Sequence, residues 1–285
     1  MIVVAGGTGR LGSDVVRSLL DSGQPVRVLA RGVRPVPDAI AAAEVVRGSV
    51  SDPGVVAAAL AGAEVVVSAV TGFPFVSPDR VDASGNEALA QAARRVGADV
   101  VLVSVAGASA DHPMGLFRAK HRAEQTLARA RVRSTVVRPE AFADLWIDLM
   151  ATSAGRSHRP LVFGRGENPR AWVAVRDVSA LVVRAATDDR LRDLTLTLTG
   201  PEEITPSVLA ARVMAARGWT GAPRHVPTAV LRMAARLPGR AGRQADAALA
   251  MEEAAQSVDD ARAAVPGLPC TSVADLLAGG VVRHE

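Results

Sequence analysis

Along the first 140 residues, short apolar runs rich in valine alternate with longer stretches whose apolar positions recur every three or four residues. Met1–Ala5, Val26–Ala30, Glu44–Arg47, Glu64–Ala69, Asp99–Ser104 and Thr135–Arg138 read as strands. Leu11–Ser22, with Leu11, Val15, Val16, Leu19 and Leu20 on one side, reads as a helix, as do Ser84–Val96 and Gly115–Ala130. Runs such as EVVVSAV and VVLVS are apolar on both faces, which suits buried parallel strands. Strand and helix in alternation predict an α/β fold, a doubly wound parallel sheet of the Rossmann type.

From about residue 141 the rhythm changes. Ala141–Ala154 has helical spacing, and Gly155–Pro169 reads as a loop or lobe edge. Asp177–Ala186 reads as a helix with Asp177 as its N-cap, and Leu194–Leu198 as a late strand. The rest is Ala-rich and mainly helical. The expected division is a dinucleotide-binding core over 1–140 and a smaller, mostly helical substrate lobe over 141–285, with a strand near 194–199 returning to the sheet.

The segment IVVAGGTGRLG passes from the first strand into the first helix. Gly6 permits a tight turn, Gly9 lets the backbone approach a diphosphate, and Gly12 lets the helix pack closely on the strand. The amides at the helix start then face the phosphates. Gly6, Thr8, Gly9, Arg10, Leu11 and Gly12 are the expected binding loop. In NAD-specific folds a carboxylate about 20 positions on holds the ribose 2′-hydroxyl. Here the second strand ends in Ala30 and Arg31. Guanidinium suits a 2′-phosphate in charge and shape, so Arg31, with Arg10 from the other side, points to NADP(H) over NAD(H).

Composition narrows the chemistry. The formal charge of +4 comes from basic residues scattered among acidic ones, and aromatics make up only 3%, which argues against nucleic acid. No apolar run is long enough to span a bilayer, and no signal peptide is read. A single cysteine, Cys270, allows no internal disulfide and fits a reducing cytoplasm. No His, Cys or Asp cluster has metal-ligand spacing. There is no tyrosine, and one lysine, Lys120, stands among 33 basic residues. In a chain that otherwise uses arginine, that lysine is a candidate for chemistry.

Taken in order, AGGTGRLG, VLARG, GSVSDP, VVVSAVTG, VLVSVAG, KHRAEQTL, TVVRPEAF and WVAVRDVSA resemble the NmrA-like, atypical short-chain dehydrogenase/reductases over about residues 1–205. The resemblance implies that the glycine loop and Arg31 hold NADP(H). It implies that Ser68, Ala69, Val70 and Thr71, with Ser104 and Val105, line the nicotinamide side, and that Pro139–Phe142 border the substrate cleft. Two departures stand out. The Tyr-x-x-x-Lys pair of ordinary members is excluded, because Leu116 lies four residues before Lys120. Ser49 and Val50 follow the third strand where the family often has an Asp.

The layout puts Lys120 near the nicotinamide ribose, as a ribose anchor or as the general acid that protonates product after hydride transfer. His112 is a second candidate proton donor. His121, next to Lys120, points about 100° away around the helix and is expected at the surface. Phe73, Phe75, Phe142 and Trp146 are candidate walls of an apolar substrate pocket. The expected activity is NADPH-dependent reduction of a small apolar or aromatic carbonyl, enone or quinone, by a monomer or homodimer. A non-catalytic NADP(H) sensor and a sugar-nucleotide epimerase are the alternatives.

Overall fold

Each sheet strand sends successive side chains to opposite faces, and here both faces are apolar. In β1 (Ile2–Ala5), Val3 joins one hydrophobic cluster and Val4 the other. The computed structural model describes residues 1–32, 35–253 and 257–279. After β1 come α1 (Arg10–Asp21), β2 (Val26–Ala30), β3 (Glu44–Arg47), α2 (Pro53–Leu60), β4 (Val65–Ser68), α3 (Ser84–Val96), β5 (Asp99–Val103), α4 (Gly115–Ala130) and β6 (Ser134–Pro139). The second half runs through α5 (Ala143–Ala154), β7 (Leu161–Phe163), β8 (Arg170–Ala171), α6 (Val175–Thr187), β9 (Thr195–Leu198), β10 (Glu203–Ile204) and α7 (Pro206–Ala216). It ends with β11 (Arg224–Val226), α8 (Thr228–Ala234), α9 (Arg240–Glu253), α10 (Ala261–Ala264) and α11 (Val273–Ala278).

Seven strands form one parallel sheet in the order β3-β2-β1-β4-β5-β6-β9. Val4, Val28, Val67, Val101 and Val137 pack with α1 and α6 on one face. Val3, Leu29, Val66 and Leu102 pack with α2, α3 and α4 on the other. The chain leaves β1 toward β2 and returns past it to β4. The crevice at the carboxyl ends of β1 and β4 is therefore the topological switch point, where open α/β sheets bind ligands.

Two local expectations change, and α2 enters where the pattern announces no helix. α2 has no amphipathic stripe because its Val, Ala and Leu residues are apolar all round. Its start is marked by Pro53 and by Asp52, whose carboxylate accepts from the Gly54 and Val55 amides. The supposed loop over 155–169 contains β7, which pairs in parallel with β11. Asp177 is not an N-cap: Ala174 holds that place, and Asp177 is fully buried, accepting from the amide and hydroxyl of Thr271 at 2.8 and 2.7 Å. It ties the C-terminal segment to α6.

The lobe has its own core, in which Ile147 and Met150 of α5 meet Val162, Trp172, Leu209 and Val213. Its boundary is not one cut at residue 140. α6 packs on α1, β9 pairs with β6, and Ala261 of α10 joins the same core, so all three belong to the sheet domain, and the lobe is built from α5 and β7 and from most of the remaining chain after β9. No helix among the described residues is long and apolar enough to cross a membrane.

Candidate functional site

The turn after β1 is shaped by its glycines. Gly6 adopts φ +83°, and a Cβ there would lie 2.8 Å from the Ala69 carbonyl oxygen. A Cβ on Gly12 would lie 2.2 Å from the Gly6 oxygen, so the first turn of α1 sits directly on the loop. Gly9 differs: its Cβ would meet only the Gly6 oxygen at 3.3 Å and otherwise enter open space. Gly9 is the N-cap of α1, with no side-chain cap and no acidic residue in the first turn. The uncapped amides and the positive end of the helix dipole face a space that no side chain fills, a cradle of the kind a diphosphate occupies. Thr8 and Leu11 are half-buried beside it, and Leu11 packs on the sheet core.

Two arginines mark the ends of neighbouring strands. Arg31 follows β2 and is exposed, and the equally exposed Arg47 ends β3, in register with Ala30. Arg47 lies beside Gly32, its guanidinium 3.6 Å from where a Cβ would stand. The sequence reading missed Arg47, because only strand pairing brings it to Arg31. Arg10 goes the other way: its guanidinium pairs with the Asp148 carboxylate on α5. α5 follows β6, which lies across β1 from β2, so the partner that holds Arg10 comes from the other half of the sheet than Arg31.

Lys120 is almost completely buried. Its Nζ donates to the carbonyls of Val70 at 2.9 Å and Val103 at 3.0 Å, and Oδ1 of Asp82 stands 3.0 Å away as its charge partner. The other Asp82 oxygen accepts from the Gly72 amide at 2.9 Å, and its main-chain carbonyl accepts from Asn86. Ser68, fully buried, donates to Asn86 Oδ1 at 2.5 Å. One helical turn beyond Lys120, Glu124 accepts from the Ser104 hydroxyl at 2.5 Å and from Arg138 Nε and Nη2 at 3.0 and 2.5 Å. The Arg138 guanidinium is held more firmly charged by that carboxylate. α4 thus fastens the carboxyl ends of three adjacent strands with two charges. The hydroxyls of Ser68 and Ser104 are spent inside this network, leaving the main chain of Ala69 and Val70 to border the crevice. Pro139, also buried, closes β6.

His112 lies in the loop after β5, stacked on Phe117 at 4.1 Å, and its Nδ1 accepts from the Met114 amide at 3.1 Å. The hydrogen-bond pattern assigns the neutral ring's proton to Nε2. Burial lowers its pKa below the usual histidine value, with Arg118 adding to the effect while the Met114 amide, Asp111 and Asp246 oppose it. Because the folded value is the lower one, the stability from neutral His112 is full above the ordinary imidazole value and declines as pH falls below it. In urea melts between about pH 5 and 7.5, His112→Phe is expected to flatten that decline. An unchanged slope would contradict the assignment. His121 is half-buried, and its Nδ1 is enclosed without a hydrogen-bond partner.

The four aromatics do not form one wall. Phe75 is 64% exposed, under the Arg240 guanidinium at 4.5 Å. Arg243 of the same helix donates to the Pro74 and Phe75 carbonyls at 3.0 and 3.2 Å, so α9 is fastened to the loop after β4. Phe73 is half-buried in that loop, and Phe142 packs on the sheet core. Trp146 stands edge-on to Phe163 and Trp172, and with Met150, Val162 and Met251 it lines a narrow cleft of about 20 Å³ open to solvent. Among the described residues, no group of three or more His, Cys, Asp or Glu is placed to hold a metal ion.

A family model described as NAD(P)H-binding matches residues 6–189. The chain is 31% identical over 220 residues to an NAD(P)H azoreductase of Xenophilus azovorans, covering 76% of this chain and 74% of that one. It is 27% identical over 236 residues to a photosystem II assembly factor of Synechocystis, covering 81% and 72%. The fold superposes on an NADPH-dependent quinone oxidoreductase of Escherichia coli solved with NADPH, with a TM-score of 0.81, 21% identity and coverage of 98% and 99%.

Proposed function

We infer that this chain, which belongs to the NAD(P)H-binding family, is an NAD(P)H-dependent oxidoreductase. From that premise we propose that it uses NADPH to reduce small aromatic acceptors of the quinone type. The observation that carries the reading is the open turn at Gly9, set over the uncapped amides of α1 in a chain without tyrosine. The glycine loop would hold the diphosphate. Arg31, joined by Arg47, would hold the 2′-phosphate. The bound nicotinamide supplies a hydride.

The residues around the crevice bear on which acceptor suits it. Lys120 is occupied by two carbonyls and a carboxylate, so its role in this reading is to fix the main chain of Val70 and Val103 against the nicotinamide side. Releasing a proton to substrate would require breaking that cluster. An alkoxide product needs an acid close by, whereas a phenolate, whose ordinary pKa is about 10, forms without one. Quinone-like acceptors therefore suit this site better than aliphatic ketones. His112, whose Nδ1 is taken by the Met114 amide, would offer its Nε2 proton to an acceptor oxygen. The apolar side chains around Trp146 are the proposed side of the acceptor ring, and their cleft, with room for about one water as it stands, would have to widen to admit it.

The test is NADPH oxidation against a panel of quinones, azo dyes, enones and aliphatic ketones. Turnover with quinones and none with aliphatic ketones is expected, and no turnover with any of them would end the reading. Arg31→Ala is expected to raise the KM for NADPH about tenfold, a loss of one charge-assisted contact, and to leave NADH unchanged. Equal effects on both would remove Arg31 from the 2′-phosphate. The second reading is an NADPH-binding protein without turnover that acts on a partner. The saturated Lys120 and the similarity to an assembly factor favour it, and tight NADPH binding with an inert panel would select it.

A further inference from the structure

Arg10 is the first residue of α1, next to the turn that receives the diphosphate, yet its guanidinium is drawn onto Asp148, 138 residues away in the substrate lobe. The two side chains are 25% and 31% exposed, so the pair is largely shielded from water at the seam between sheet and lobe. We propose that Asp148 is a positioning residue for the cofactor: it holds Arg10 off the diphosphate until a dinucleotide arrives and takes Arg10 over. The inference rests on NAD(P)H binding and not on the identity of the acceptor.

Three observations carry it. Arg10 adjoins the glycine turn, and its partner Asp148 lies on α5, after β6, across β1 from the strands that end near Arg31 and at Arg47, so the phosphate assigned to it is the diphosphate, common to NADPH and NADH. The α1 amides beside it carry no side-chain cap and no acidic neighbour in the first turn, so Asp148 is the carboxylate competing for that corner. α5, which carries Asp148, also carries Trp146 and Met150 on the cleft. A dinucleotide that draws Arg10 inward thus unties α5 from the glycine loop, and binding is felt at the proposed substrate side. Where a competing internal contact must open first, apparent affinity falls by the fraction of molecules already open. For a partly shielded ion pair near 1 kcal/mol, that is about fivefold.

Dissociation constants for NADPH and NADH, read by quenching of tryptophan fluorescence on the full chain, test the proposal in wild type, Asp148→Asn, Arg10→Ala and the double variant. Asp148→Asn is expected to tighten both nucleotides by the same factor of about five. Arg10→Ala is expected to weaken both, and in its background Asp148→Asn should change nothing. A thermal melt of each variant, unchanged within a few degrees, separates this from a merely structural contact. The proposal is overturned if Asp148→Asn leaves both constants unaltered. It is equally overturned if tightening survives without Arg10, which would mean plain repulsion by the carboxylate, or if only NADPH gains. Wild-type NADPH binding with an inert acceptor panel would sink the reductase reading and leave this one standing.

Discussion

Replacing Lys120 with alanine is expected to lower the free energy of unfolding by about 3–5 kcal/mol, whatever it does to turnover. The ammonium is the charge partner of Asp82, a carboxylate with no exposed surface, and it satisfies two main-chain carbonyls at the ends of β4 and β5. Removing it strands an anion in the protein interior and leaves both carbonyls short of a donor. Lys120→Arg does not rescue this well, because a planar fork cannot reproduce a compact point charge among three oxygens. The double variant Lys120→Met with Asp82→Leu is expected to recover much of the loss, since an apolar pair of similar volume removes both charges together. Urea unfolding decides the matter. If the alanine variant keeps wild-type stability and loses only turnover, the lysine is an acid–base group and the clamp is incidental. Since the unfolded fraction rises steeply with such a loss, turnover of the alanine variant should be measured well below its melting temperature.

The second large effect separates two glycines three residues apart, about 4.5 Å of helical rise. Gly12→Ala is expected not to fold stably, because its Cβ would stand 2.2 Å from a main-chain oxygen that has nowhere to move. Gly9→Ala meets one oxygen at 3.3 Å and otherwise open space, so the protein should fold with a small penalty. The added methyl would then occupy the approach to the α1 amides. Loss of NADPH affinity of about a hundredfold is expected, the equivalent of roughly 2.7 kcal/mol. Circular dichroism and nucleotide titration on the two variants check both halves. A Gly9→Ala protein that binds NADPH as wild type does would place the diphosphate elsewhere.

The parallel sheet was legible because its strands are buried on both faces and its helices on one, so the period of the pattern changes at each boundary. Val26–Ala30, Glu44–Arg47, Ser84–Val96 and Gly115–Ala130 have the same bounds in sequence and structure. The glycine loop was legible because Gly6 and Gly12 answer local steric demands and Gly9 leaves the approach to the helix amides open. What stayed hidden depends on pairings remote in the chain. Asp82 sits in an ordinary polar stretch, and nothing near it announces that Lys120 will enclose it. Arg47 reaches Arg31 only through the register of two strands, and Asp148 meets Arg10 only because α5 crosses the seam. Asp177 is hidden for a related reason: its place near a helix start suits a cap, but its partner, Thr271, lies 94 residues on. The aromatics were grouped by kind, and the backbone then carried Phe75 outward and Phe142 onto the sheet.

The way the chain weaves between its two parts limits how it can be divided. Residues 1–140 end at β6, whose outer edge is covered by β9, and α1 rests on α6; both covering elements come from beyond the lobe's first helix. A fragment cut at the expected boundary would present an unpaired strand edge and a bare apolar stripe, the conditions under which isolated pieces clump with one another. The nucleotide-binding half is therefore not a portable module. Grafting it onto another protein, or expressing it alone for screening, requires carrying the chain through Leu198 with the intervening lobe segment kept or replaced by a linker.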